Sequence, residues 1–205
     1  GSSLTLFADR NVDRNVFGVF ELGASATQFF NPAFILLFGG IFSVMWVKLD
    51  KAGLNPNIPM KFGLGILQLG VGYLLILVGV GFAGDDAKVP LFILLFMYML
   101  HTTGELFLSP IGLSMVTKLA PKSMTGAAMG AWFLSFAFAN KAAAALAMLT
   151  GAEGEEGGEE VVQTAAESLA SYSEVYGTMG WVSVGIGVFL VVASPLLNKL
   201  MHGVK

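Results

Sequence analysis

Five stretches of this chain are each long and apolar enough to cross a bilayer, and no other feature restricts the fold as strongly. They cover residues 24–47, 62–83, 91–117, 124–149 and 175–201. About 20 mostly apolar residues, rising 1.5 Å each, span roughly 30 Å of hydrocarbon. The runs lack period-two alternation and far exceed the ~10 residues of a barrel strand, so they read as helices. Composition agrees: of 205 residues 55% are hydrophobic and 12% charged, with a mean hydropathy of +0.75. Soluble domains carry about 25% charged residues, and half that is too little to cover a soluble surface. The same balance excludes intrinsic disorder. A net charge of −3 supplies no basic stripe for nucleic acid. Zero cysteines exclude disulfides, thiolate metal sites and a cysteine nucleophile, and two histidines are a poor basis for metal catalysis. No P-loop, HExxH or GxSxG motif is present to support nucleotide-driven transport or hydrolysis. The chain is therefore read as an all-α, polytopic membrane protein and not as an enzyme.

Orientation follows from the basic residues. Lys48, Lys51, Lys61, Lys118, Lys122, Lys199 and Lys205 fall on one side of the alternating spans, and Arg10, Arg14 and Lys88 on the other. The positive-inside rule places the lysine-rich loops and the C-terminus in the cytoplasm, with residues 9–22, 84–90 and 150–174 outside. The outer stretch 150–174 holds seven glutamates. With its glycine-rich acidic first half it is read as a solvated connector, a short surface helix over residues 161–172 being the alternative. Residues 1–8 are apolar but too short to cross. They read as the tail of a further helix, with residues 1–3 alternatively a tag remnant.

Polar groups inside the spans are few and informative. Glu105 lies fifteen residues after Pro90 and thirteen before Lys118, roughly 20 Å from either end of its helix. A short carboxylate at that depth must be protonated, paired or wet. His101, Glu105 and Ser109 are four apart and share one face, and Pro110 weakens the backbone ladder beside them. Glu105 is thus a candidate for proton handling or transport, against a purely structural bond to a neighbouring helix. His101 is either a satisfied interior histidine or a proton relay.

Asn31-Pro32 opens the first full span and fits both a ligand-binding amide and a simple helix start. Gly126 and Gly130 form a small-xxx-small face for close helix approach. By helix rise Trp132 lies roughly 13 Å from the cytoplasmic end and Glu105 roughly 20 Å, and Trp132 fits either a shared cavity or core packing. Lys141, eight residues from the outer end of its span, either snorkels outward or pairs with an acidic group.

The residues also resemble a known family. Gly-Glu-Leu-Phe-Leu-Ser-Pro-Ile-Gly-Leu-Ser-Met-Val-Thr-Lys-Leu-Ala-Pro at 104–121 is similar to the tenth-helix signature of the proton-dependent oligopeptide transporters. Phe30-Asn31-Pro32 resembles their eighth helix. Gly130-Ala-Trp-Phe-Leu-Ser135 and Ala139-Asn-Lys-Ala142 resemble the eleventh, and residues 1–8 the second half of the seventh. The resemblance implies a major facilitator fold, of which this chain is the C-terminal six-helix bundle: the end of helix 7 plus helices 8–12. It implies proton-driven symport of di- and tripeptides across the cytoplasmic membrane, with no cofactor and the proton gradient as energy source. By the same resemblance, Glu105 lies near the peptide amino terminus with Ser109 one turn below. Asn31 contacts the peptide backbone, and Trp132 and Phe133 form an aromatic side-chain pocket. Asp9, Arg10, Asp13 and Lys141 are candidates for the outer gate, and Glu105 and His101 for proton coupling. The N-terminal six-helix bundle, with the family's ExxER motif, is absent from this sequence, so the chain alone is not expected to transport. A transporter of another small solute (nitrate, a drug-like molecule, an amino-acid derivative) and a non-transporting membrane scaffold are the alternatives.

Overall fold

The computed structural model describes residues 2–16, 18–149 and 164–201. Helix α1 (Ser2–Asn11) leads into the two-residue strands β1 (Val12–Asp13), β2 (Asn15–Val16) and β3 (Phe20–Glu21). A 3₁₀ segment, Ala24–Phe29, runs directly into α2 (Phe30–Lys51), followed by α3 (Ile58–Val80), β4 (Val89–Pro90) and α4 (Leu91–Leu119). A 3₁₀ turn, Lys122–Met124, introduces α5 (Thr125–Leu149), and α6 (Ala165–Leu200) closes the described chain. The strands add a small cap to the all-α body: β1 pairs with β4 in parallel, and β2 with β3 in an antiparallel hairpin.

Among the described residues, Ala24–Lys51, Ile58–Val80, Leu91–Leu119 and Ala165–Leu200 are long and apolar enough to cross a membrane. The stretch expected at 124–149 is one 25-residue helix, α5. Local chemistry fixes the boundaries. Pro32 falls in the first turn of α2, where its missing N–H costs no intrahelical bond. Asn57 caps α3 by accepting the Met60 N–H at 2.9 Å, and Pro59 sits just inside the start.

The last helix departs from expectation. It starts at Ala165 and runs 36 residues, about 54 Å, instead of beginning near 175. A capping box causes this. The Thr164 hydroxyl accepts the Glu167 N–H, and the Glu167 carboxylate accepts the Thr164 N–H at 2.8 Å. Ser168, Leu169 and Tyr172 then bury one face of turns that hydropathy alone assigns to a loop. The glycine-rich acidic half of that loop, and positions 150–163 generally, lie outside the described residues.

Packing is organised around α3 by absent side chains. A Cβ at Gly63 or Gly70 would come within 2.8 Å of the α6 backbone, and one at Gly187 within 2.7 Å of the α3 backbone. A Cβ on Gly65, Gly72 or Gly79 would strike Gly104, His101 and Val89 at 2.8, 2.5 and 2.6 Å. Both rows repeat every seven residues, the period that keeps one seam against a helix crossed at a shallow angle. Lipid tails are as apolar as leucine, so close backbone contact holds such helices together. Large apolar side chains instead point outward: Leu36 is 82% exposed and Val192 74%. Gly126 and Gly130, expected to seat a neighbouring helix, have no described atom within 4 Å of a built Cβ.

At the end of the bundle that carries the strands, Phe7 meets Tyr172 edge-on at 5.2 Å, inside a core with Ile76, Leu94 and Met97. Buried Asn11 ties this cap together. Its amide donates to the Ala165 carbonyl at 2.7 Å and to that of Ala87 at 3.2 Å, and its oxygen accepts from the Ser168 hydroxyl at 2.7 Å.

Candidate functional site

The four-residue spacing on α4 brings His101, Glu105 and Ser109 to the wall of one cavity of about 480 Å³. Helix α3 contributes Phe62 and Ile66 to it, and α5 contributes Trp132, Ser135 and Phe136. Glu105 and Trp132 therefore face the same space from adjacent helices. The indole reaches that position because Gly112 leaves room for it: a Cβ at Gly112 would lie 2.6 Å from Trp132 Cη2. The glycine of the Ser-Pro-Ile-Gly run is thus a seat for an aromatic ring.

Asn31 joins the site from α2. Its Nδ2 donates to Thr102 Oγ1 at 3.1 Å and to Glu105 Oε2 at 3.4 Å. The amide so bridges α2 to the α4 carboxylate, while Asn31-Pro32 also starts the helix, and the two sequence readings coexist. Glu105 keeps one face exposed and has lone pairs left for a ligand cation.

Phe133 takes a different place from the one expected. It is 58% exposed and outside the cavity lining, because one residue turns an α-helix by about 100°. Phe136, four positions beyond Trp132, shares its face and packs edge-on to it at 6.2 Å. His101 lies against Tyr73, with ring centroids 4.5 Å apart, and its Nε2 is buried without a hydrogen-bond partner among the described residues.

The outer-gate candidates separate. Asp9 pairs with Arg14 at 3.1 Å, and Glu21 pairs with the same guanidinium at 3.0 Å. Arg14 also donates to the Leu22 carbonyl at 3.1 Å, which makes it the hub of the cluster. Asp13 instead accepts the Asn15 N–H at 3.1 Å in a local turn. Arg10 is exposed beside them, and Lys141 is exposed on α5. Thr102, Phe136 and Arg14 were not singled out from sequence. Helical spacing from Glu105 and Trp132 would have found the first two. Arg14 meets Glu21 through the β2–β3 hairpin, where the Leu22 N–H donates to the Arg14 carbonyl at 2.9 Å. Among the described residues no cluster of His, Cys, Asp or Glu is suited to a metal ion.

A bundle of apolar helices around a mainly apolar cavity that carries a carboxylate fits a multi-pass membrane transporter, and comparison with known proteins gives the family. The PTR2 family model, described as the POT family, matches residues 1–162. The chain belongs to this family, the proton-dependent oligopeptide transporters. It is 34% identical over 201 residues to the uncharacterized transporter YclF of Bacillus subtilis, covering 98% of this chain and 37% of that protein. It is 33% identical over 203 residues to dipeptide and tripeptide permease A of Edwardsiella piscicida, covering 98% and 39%. A crystal structure of the peptide transporter POT in complex with sulfate aligns with a TM-score of 0.80 at 34% identity, covering 98% of this chain and 36% of that one. The chain thus spans under two fifths of the length of each.

Proposed function

We propose that this chain forms the C-terminal half of the binding site in a proton-coupled symporter of di- and tripeptides. The site works by alternating access in the cytoplasmic membrane, with the C-terminus in the cytoplasm and an N-terminal six-helix bundle supplying the opposite wall. The supporting observation is the Asn31–Glu105 contact, on a cavity that Ser109 and Trp132 also line. In this reading the Glu105 carboxylate receives the peptide ammonium, an attraction strengthened where water is scarce. Asn31 holds the carboxylate and keeps its carbonyl oxygen for the peptide backbone. Trp132 and Phe136 take an apolar side chain. A proton and an ammonium compete for one carboxylate, which links the gradient to peptide release, and rocking of the bundles exposes the site to each side in turn.

The test is Glu105→Gln in the full-length transporter, reconstituted in vesicles. Proton-driven uptake of a labelled dipeptide should be lost, while counterflow exchange persists. Driven uptake at the wild-type rate would overturn the proposal. Thermal stabilisation of the purified protein by dipeptide, and its absence with nitrate, separates peptide transport from the other solute readings.

A further inference from the structure

At the lysine-rich end, α2, α3 and α6 close around a second cavity of about 340 Å³, distant in sequence from Glu105 and Trp132. Asp50, Asn55, Asn57, Lys61 and Asn198 supply its polar lining. Lys61 is 8% exposed, and its Nζ stands 4.3 Å from the centre of the Trp46 ring. No described residue forms a hydrogen bond or ion pair with that ammonium, although Asp50 acts on it electrostatically. An indole face attracts a cation but offers no lone pair to its three N–H donors. The stem is buried while the ammonium opens onto this cavity, where its donors need acceptors. The neighbouring amides do not meet this need: Asn57 Oδ1 is committed to the Met60 N–H, and Asn55 Nδ2 donates to Asp50 at 3.0 Å. Lys61 therefore lacks an acceptor in direct contact, and Asp50, on the same cavity, keeps free lone pairs of its own.

A cation and an anion on one small cavity select a ligand that carries both charges. The surroundings select a lipid. Lys48 and Lys51 end α2, Lys199 ends α6, and Trp46 lies beneath them, the mixture found at membrane interfaces. Leu54, between the lining residues Gly53 and Asn55, is 70% exposed, an apolar surface for the start of an acyl chain. We propose that this cavity holds the headgroup of a zwitterionic phospholipid bearing a primary amine. Its phosphate oxygens accept from Lys61, and its ammonium donates to Asp50. A choline headgroup has no N–H to give Asp50, a glycerol headgroup has no positive charge, and free phosphate leaves the Asp50 charge opposed.

The experiment titrates the full-length protein, in detergent, with phosphatidylethanolamine, phosphatidylcholine, phosphatidylglycerol or inorganic phosphate, and reads retained ligand by native mass spectrometry. Phosphatidylethanolamine should be held about tenfold more tightly than the other lipids, the size of one charge-assisted hydrogen bond. Lys61→Gln and Asp50→Asn should each abolish that preference, and Lys61→Arg should keep it. Asp50 is exposed, so its variant carries the test even where Lys61→Gln does not fold. Equal retention of the three lipids, a preference that survives Asp50→Asn, or displacement of the lipid by millimolar phosphate would each overturn the proposal.

Discussion

His101 occupies a space that α3 has left empty. Its imidazole lies where a side chain at Gly72 would be, with Cδ2 only 2.5 Å from a built Cβ. Gly72→Ala should therefore cost about 1–3 kcal/mol, the range for overpacking a filled interior, read as a lower unfolding midpoint. The same substitution in a His101→Ala background should cost far less. Equal damage in both backgrounds would show that the imidazole is not what fills the gap. At this scale sequence reasoning worked where one helix carried the information. The line of His101, Glu105 and Ser109 follows from a spacing of four. It failed at Phe133, where the question was which way α5 is rotated about its axis. That rotation is set by the contact of Trp132 with Gly112 on another helix.

Along α3 the two glycine rows, at 63 and 70 and at 65, 72 and 79, make one helix the spine for α6 on one side and α4 on the other. Glycine abundance was legible in the sequence, but not which glycines touch a neighbour, since Gly126 and Gly130, a small-xxx-small pair, have no described atom within 4 Å of a built Cβ. The start of α6 was hidden for a related reason. Hydropathy measures greasiness, and residues 165–174 are held by a cap and by buried Ser168 and Tyr172. At about 54 Å the helix exceeds the hydrocarbon by many residues, so this first turn stands in water. There the Thr164 backbone N–H, and then its hydroxyl, hold the Glu167 carboxyl below its usual range. A lowered folded value means the contact contributes above the ordinary carboxylate range and is lost as pH falls through the folded value. The helix start should fray only in acid. A carbon-13 NMR titration of Glu167 should give a midpoint below that of an unstructured glutamate, and Thr164→Ala, which removes the hydroxyl but keeps the backbone N–H, should raise it part of the way. An unchanged midpoint in that variant would refute the assignment.

For the molecule as a whole, the apolar runs sufficed to read an all-α membrane fold, because lipid forces each spanning segment to satisfy its own backbone. What they could not show is how the ends are joined. The cap depends on Asn11, whose bonds reach Ala87, Ala165 and Ser168, and no local signal marks an asparagine at the end of a short helix for that task. Asn11→Ala leaves buried partners unmet, at about 1–3 kcal/mol for each such group. Hydrogen exchange should then accelerate at residues 85–89 and 164–168 while α3 amides stay protected. Uniform acceleration would mean that the cap is not a separate unit.

The Asn11–Ser168 bond has a further consequence in time. Its two residues are 157 positions apart, so the first described helix cannot complete its contacts until the last one has been made. At about 5–20 residues per second of synthesis, that interval is roughly 8–30 s. Through it Asn11 has the Ala87 carbonyl as a partner but not Ala165 or Ser168, which makes the arrival of α6 the step that completes the cap.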